Sequence, residues 1–375
     1  MWSTNPDDPK GYHWGTDLRE AGKDLIILGY ADRTASILDN AKIARACIRR
    51  AIAERDGDEP LVVGGFSMGG LITRYTLALM ETEGEDHQTA TYFSYDSPHR
   101  GGWVPISIQA FAHYMADQQT EPPPDPTKDA AAMSRMLNSP AARQMAAYHL
   151  DPDADGPGPN DPAPAPGPAP QRQAFLDELR KVGWFPKGLP DLPIKRIAVA
   201  NGRADGVGLV LPTDNQTLKC TSGVLGVGLF GQDPAQQHLV ANLIKKTVVP
   251  WDKTEVHANG IPALDGAPGG TLDSNRIVVN ALRGASLFPS NTDFPWVCFV
   301  PTVSAADVAD PETHATQRIP DDPPDGCWFH AYRCASPAGA PPTGADEEYH
   351  PHKHTLLTKE LCTWITENIQ VISRV

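Results

Sequence analysis

The sequence predicts an α/β fold built on a mostly parallel sheet, and three observations carry that prediction. Short apolar runs alternate with amphipathic helical runs from residue 24 to about 100, an order that places helices on both faces of a parallel sheet. LVVGGFSMGGLITRY, residues 61 to 75, joins an apolar β-branched run to a helical run through a G-x-S-x-G turn made by Gly65, Ser67 and Gly69. The chain has 375 residues, 40% hydrophobic and 21% charged, which is enough to bury a sizeable core.

Taken in order, DLIILGY at 24 to 30 predicts the first strand. LDNAKIARACIRRAIAER at 38 to 55 predicts a helix: Ile43, Cys47, Ile48, Ala51 and Ile52 recur at helical spacing, with Arg45, Arg49, Arg50 and Glu54 on the other face. Ser36 and Asp39 supply its start signals. A strand at 61 to 66, a helix at 69 to 81 and the strand TATYFSY at 89 to 95 follow.

Residues 105 to 190 interrupt the alternation and predict a helical insert. IQAFAHYM and MSRML are helical, Ser139 and Pro140 cap AARQMAAYHL, and the amphipathic QAFLDELRKVG closes the insert. Within it, residues 152 to 170 hold eight prolines, too many for helix or sheet, and predict an exposed, mobile loop. IKRIAVA at 194 to 200 returns to a strand. The glycine-rich stretch 206 to 290, with GVLGVGLFG and RIVVNAL, predicts a β insert, as antiparallel hairpins or an extended segment. PWVCFVPTVSAAD at 295 to 307 predicts another buried strand, and LLTKELCTWITENIQVI a terminal helix. Residues 1 to 375 are thus expected to form one domain.

A net charge of −14 argues against nucleic acid and anionic membrane surfaces as partners. No apolar run is long enough to span a bilayer, and MWSTNPDDPKGYHWG lacks the basic and apolar regions of a secretion signal. That points to the cytoplasm, or to secretion if the natural start lies upstream. The six cysteines contain no C-x-x-C pair. Cys47 and Cys298 fit buried free thiols, while Cys327 and Cys334 are close enough to bridge across a loop.

A serine on a sharp strand-to-helix turn is exposed above the sheet edge, and the helix that starts there aims N–H groups and its positive dipole end at a developing oxyanion. The alternative is a turn whose glycines only permit close packing. SPHRGG at 97 to 102 bears on the choice, although His99 in such a turn fits a structural role better than that of a base.

GGFSMGGLITRY followed by FSYDSPHRGG resembles the lipase and esterase branch of the α/β-hydrolase superfamily, with its S-x-G-G elbow and T/S-P-H-x-G turn. SPAARQMAAYH, RIAVANG, APGG at 267 to 270 and FVPTVSA resemble phrases of a bacterial group of esterases, many of them secreted. The resemblance runs from about residue 24 to the end. It implies an α/β-hydrolase fold with the insert at 105 to 190 as a helical lid, Ser67 as nucleophile, Met68 as an oxyanion donor through its backbone N–H, and a histidine just before the last helix as base.

A serine needs a base within hydrogen-bond reach and the base an orienting carboxylate, in chain order Ser, Asp or Glu, His. EEYHPHKHTLLTKE offers His350, His352 and His354, of which His354 lies closest to the terminal helix. NGRADG places Asp205 in the loop after the strand 194 to 200, with Asp307 and Asp96 as competing acids. The three alternate histidines also allow a metal reading. Phe66, Ile106 and Phe111, with Ile108, Tyr114 and Met115, are candidates to line an acyl pocket, with plain core packing as the alternative for the 106 to 115 stripe.

The expected function is hydrolysis of carboxylic esters, small-molecule, lipid or polyester, through an acyl-enzyme and without a cofactor. Acyl transfer, thioester cleavage and a catalytically silent binding protein are the alternatives. One departure from the family pattern is that only 23 residues, with no apolar strand among them, precede DLIILGY. Either the start is internal to a longer chain, or the second oxyanion donor comes from the loop 1 to 16. Loss of such a donor costs about two to three orders of magnitude in rate.

Overall fold

Side-chain parity organises the centre of the molecule. Along the two middle strands, Tyr92 and Ala198 turn to one face, and Phe93, Tyr95, Ile197 and Val199 to the other. Both faces are apolar, so both must be covered. The computed structural model describes residues 12–118, 129–151, 166–211, 216–222, 225–232, 239–245, 252–284, 287, 289, 296–335 and 352–369.

The described chain opens with α1 (Trp14–Glu20) and α2 (Ile37–Glu54). Ser36 caps α2 as expected, its side chain accepting from the Asp39 N–H at 3.0 Å. The buried face runs through Ile37, Ala41, Ala44 and Ile48, so Ile43 falls outside it. Between these helices, residues 24 to 30 do not form the expected strand. Leu28 and Tyr30 turn inward, but Leu25, Ile26 and Ile27 are 36%, 62% and 58% exposed, and the segment joins no ladder among the described residues. Apolar character states which side chains favour burial; it does not provide the partner strand that a backbone needs.

Next come β1 (Leu61–Phe66), α3 (Met68–Thr82) and β2 (Thr89–Tyr95), close to the expected bounds. The insert expected to form a lid contributes α4 (Ile106–Gln118), α5 (Ala130–Leu137), α6 (Pro140–Met145) and α7 (Pro170–Lys181). Ser139 accepts from the Ala142 N–H at 3.2 Å, the anticipated cap of α6. Most of the proline-rich stretch lies outside the described residues. A short antiparallel pair, β3 (Gly188–Leu189) and β4 (Leu192–Pro193), leads into β5 (Lys195–Arg203).

Residues 206 to 290 hold an antiparallel meander of β6 (Gln216–Thr221), β7 (Leu225–Phe230), β8 (Leu239–Lys245) and β9 (Asp252–His257), then β10 (Gly269–Leu272) and α8 (Ser274–Gly284). RIVVNAL, expected in the β insert, lies in α8, where its apolar residues recur every three to four positions. β11 (Val297–Pro301), within the expected buried strand, pairs antiparallel with β10 in a two-stranded sheet apart from the main one. After α9 (Thr302–Ala305) and α10 (Pro311–His314), the outer strand of the main sheet is β12 (Ala331–Ala335), and α11 (Lys359–Asn368) closes the described chain.

The result is a mixed α/β architecture around a parallel sheet of order β1-β2-β5-β12. Leu77 and Met80 of α3 cover one face; Trp14 and Leu18 of α1 with Leu361 and Ile365 of α11 cover the other. The meander packs on α4 in a separate core. No helix among the described residues is long and apolar enough to cross a membrane. Cys327 and Cys334 do not bridge; all six cysteines are free thiols.

One buried carboxyl ties three of these segments. Asp265 accepts from the Trp103 indole at 2.6 Å and the Gln232 N–H at 2.9 Å, and its own carbonyl accepts from the Cys298 N–H at 2.9 Å. Burial pushes its pKa up to about 6. A folded value above the unfolded one, about 4, favours the native state while the carboxyl is neutral; that stability is complete below about pH 4 and is lost as pH rises through about 6. Asp265→Asn should therefore lose its disadvantage, or gain an advantage, on the wild type by up to about 3 kcal/mol between pH 4 and pH 7, as measured by urea unfolding. A difference independent of pH would refute this linkage.

Candidate active site

Ser67 is held where a side chain seldom sits. It joins β1 to α3 at φ 52° and ψ −125°, a strained conformation for a residue with a Cβ, costing about 1–3 kcal/mol. Gly65 makes the turn possible, since a Cβ there would lie 2.2 Å from the Gly69 carbonyl carbon. The Ser67 N–H donates to the Tyr95 carbonyl at 2.9 Å, fixing the turn to the end of β2.

Asp96 follows directly on β2, with φ 47° and no exposed surface. Its N–H donates to the Val199 carbonyl at 2.8 Å, and its Oδ1 accepts from the Asn201 N–H at 3.0 Å. Gly270 lies so close that a Cβ there would be 1.9 Å from Asp96 Oδ2. Only a glycine at this point of β10 leaves room for the carboxylate.

His354 completes the group. Its Nδ1 is 2.6 Å from Asp96 Oδ2 and its Nε2 2.8 Å from Ser67 Oγ. A carboxylate only accepts, so Nδ1 carries the proton and Nε2 is left to accept from the serine hydroxyl. The Phe299 ring meets the imidazole edge-on at 4.8 Å. Met68 opens α3, so its N–H belongs to the first-turn donors that no carbonyl of the helix takes.

The structure thus brings together Ser67 and His354, but not Asp205. That side chain lies beside Arg203, and its Oδ1 accepts from the Val207 N–H at 3.1 Å, a turn-forming arrangement. The Arg203 hydrogen bond holds its pKa below the usual carboxylate range. Asp307 pairs with Arg100 at 2.8 Å, and burial pushes its pKa up. Asp96, a competing candidate on sequence, takes the place beside the imidazole.

Of the other histidines, His352 is buried, with Nδ1 2.8 Å from the Asn201 carbonyl, and His350 lies outside the described residues. No group of three or more His, Cys, Asp or Glu among the described residues is placed to hold a metal ion. His99 has the structural role expected of it. Its Nδ1 accepts from Arg74 at 3.1 Å and its Nε2 meets Ser94 Oγ at 2.8 Å, with burial and then Arg74 holding its pKa well below the usual value.

For the candidate acyl-pocket residues the packing alternative holds. Ile106, Ile108, Phe111, Tyr114 and Met115 are all buried in the cluster that α4 shares with the meander. Phe66 packs on Tyr95, Trp14 and Phe93 toward α1 and α11. Sequence reasoning missed Asn201, Phe299 and Thr271 as neighbours of the site. Asn201 and Phe299 stood in the quoted phrases RIAVANG and FVPTVSA, but nothing local marks Phe299 or Thr271 as near a histidine some 55 or more residues away in the chain.

Compared with known proteins, the chain matches no family model, no curated protein and no solved structure.

Proposed function

We propose that the protein is a serine hydrolase of α/β-hydrolase fold that cleaves carboxylic esters through an acyl-enzyme. The observation that carries this reading is the continuous hydrogen-bonded line Ser67–His354–Asp96, with separations of 2.8 and 2.6 Å. Such a line meets the geometric requirements for an activated serine: a base on the hydroxyl and an acceptor on the base.

In the first step Ser67 Oγ attacks the ester carbonyl carbon while its proton passes to His354 Nε2. The imidazolium gains a charge-assisted bond to Asp96, and the carbonyl oxygen becomes an oxyanion directed at the Met68 N–H and the start of α3. Collapse expels the alcohol, which takes the proton back from Nε2. A water, deprotonated by the same nitrogen, then attacks the acyl-enzyme, and Ser67 is regenerated as the carboxylic acid leaves.

The test is reaction with a fluorophosphonate probe and turnover of p-nitrophenyl esters of increasing acyl length. Stoichiometric labelling mapped to Ser67, with ester release, is the expected result. A folded chain that neither labels nor releases p-nitrophenol would overturn the reading.

A further inference from the structure

The base arrives on a loop, not on a regular element, so something must hold that loop. Its bonds close a ring around the acid. The Thr271 N–H donates to the His352 carbonyl at 2.8 Å, and the His354 N–H donates back to the Thr271 carbonyl at 2.8 Å. His352 Nδ1 meets the Asn201 carbonyl at 2.8 Å, and the Asn201 N–H in turn holds Asp96 Oδ1 at 3.0 Å. From Asp96 the path returns through Oδ2 to His354. Further along the loop, the Leu356 carbonyl accepts from the Asn201 amide at 3.0 Å and the Tyr95 hydroxyl at 2.8 Å.

We infer that His352 is a positioning residue for the proposed reaction, its imidazole joining the loop that carries the base to the same Asn201 peptide region that holds the acid. A carbonyl oxygen can only accept, so Nδ1–H is the donor and the tautomer of His352 is set. The bond is buried, with His352 4% exposed and Asn201 fully covered, so water does not compete for it. Hydrogen-bond reach between Ser67, His354 and Asp96 tolerates little drift: a displacement of about 1 Å in a reacting group can cost about a hundredfold in rate. The inference rests on the reading of Ser67 as a nucleophile.

Two substitutions separate positioning from bulk. His352→Phe keeps an aromatic ring and loses the donor; His352→Asn keeps an N–H near the position of Nδ1. Each is compared with the wild type in kcat and KM for a p-nitrophenyl ester, in the pH profile of kcat/KM, and in the downfield proton NMR signal of His354 Nδ1–H. His352→Phe is expected to lower kcat about ten- to a hundredfold with KM little changed. The acid limb of its profile moves to lower pH, because the imidazolium loses a well-placed carboxylate, and the downfield signal weakens or moves upfield. His352→Asn recovers most of each.

Should His352→Phe fail to fold, Thr271→Val removes the hydroxyl bond to the His352 carbonyl, 3.2 Å long, and is expected to shift kcat and the signal in the same direction by less. A folded His352→Phe with wild-type kcat and an unchanged signal overturns the inference, as does His352→Asn being equally impaired. A wild-type chain without ester turnover, whose signal nevertheless responds to His352→Phe, overturns the functional reading and leaves the positioning role standing.

Discussion

Ser67→Ala is expected to lower kcat for p-nitrophenyl ester hydrolysis by about six orders of magnitude and to abolish fluorophosphonate labelling. The size follows from how the three side chains act together: without the hydroxyl, His354 has nothing to deprotonate on the attack path, and only water attack within the oxyanion donors is left. The fold should tolerate the change, since Ser67 caps no helix N–H with its side chain and its turn is held by backbone and by Gly65. The thermal midpoint should therefore stay near the wild type. A folded Ser67→Ala chain that still cleaves esters at a comparable rate would place the chemistry elsewhere.

Asp96→Asn is expected to cost about four orders of magnitude in kcat, and Asp205→Asn next to nothing. An amide at 96 can turn its NH₂ toward His354 Nδ1. The ring must then carry its proton on Nε2, facing Ser67 with a donor where an acceptor is needed. The loss is one of tautomer, so it should appear in kcat with the thermal midpoint only modestly changed. Asp205→Asn gives up a partly exposed pair with Arg203, worth about 0–1 kcal/mol of stability and unconnected to the base. Comparable losses in the two variants would overturn the assignment of Asp96.

What could be read from the sequence was what is local. The elbow announces itself because strand, tight turn and helix are contiguous, and His354 because it lies in a histidine-rich stretch just before a helix. The proposed acid is set instead by proximity in space. Asp96 reaches the imidazole because β1 and β2 are neighbours, because its own φ is 47°, and because Gly270, 174 residues downstream, has no side chain to obstruct it. None of this is encoded in the residues around Asp96, and loop order alone favoured Asp205. The same limit explains the strands. VCFVP was rightly extended but pairs with β10, while AYRCA, short and interrupted by an arginine, forms the sheet edge unannounced. The α4 stripe was correctly apolar, yet apolarity does not distinguish a pocket wall from core.

Ser67 and Asp96 end adjacent strands of one β-α-β unit, whereas the histidine joins them across sequence separations of 287 and 258 residues. A molecule in which that unit has folded but the C-terminal part has not docked would hold the proposed nucleophile and acid in place and still be chemically silent. On the proposed reading, reaction with an active-site probe therefore counts only chains folded end to end. In a crude expression or refolding mixture it would serve as a titration of the native fraction, blind to protein that is merely soluble.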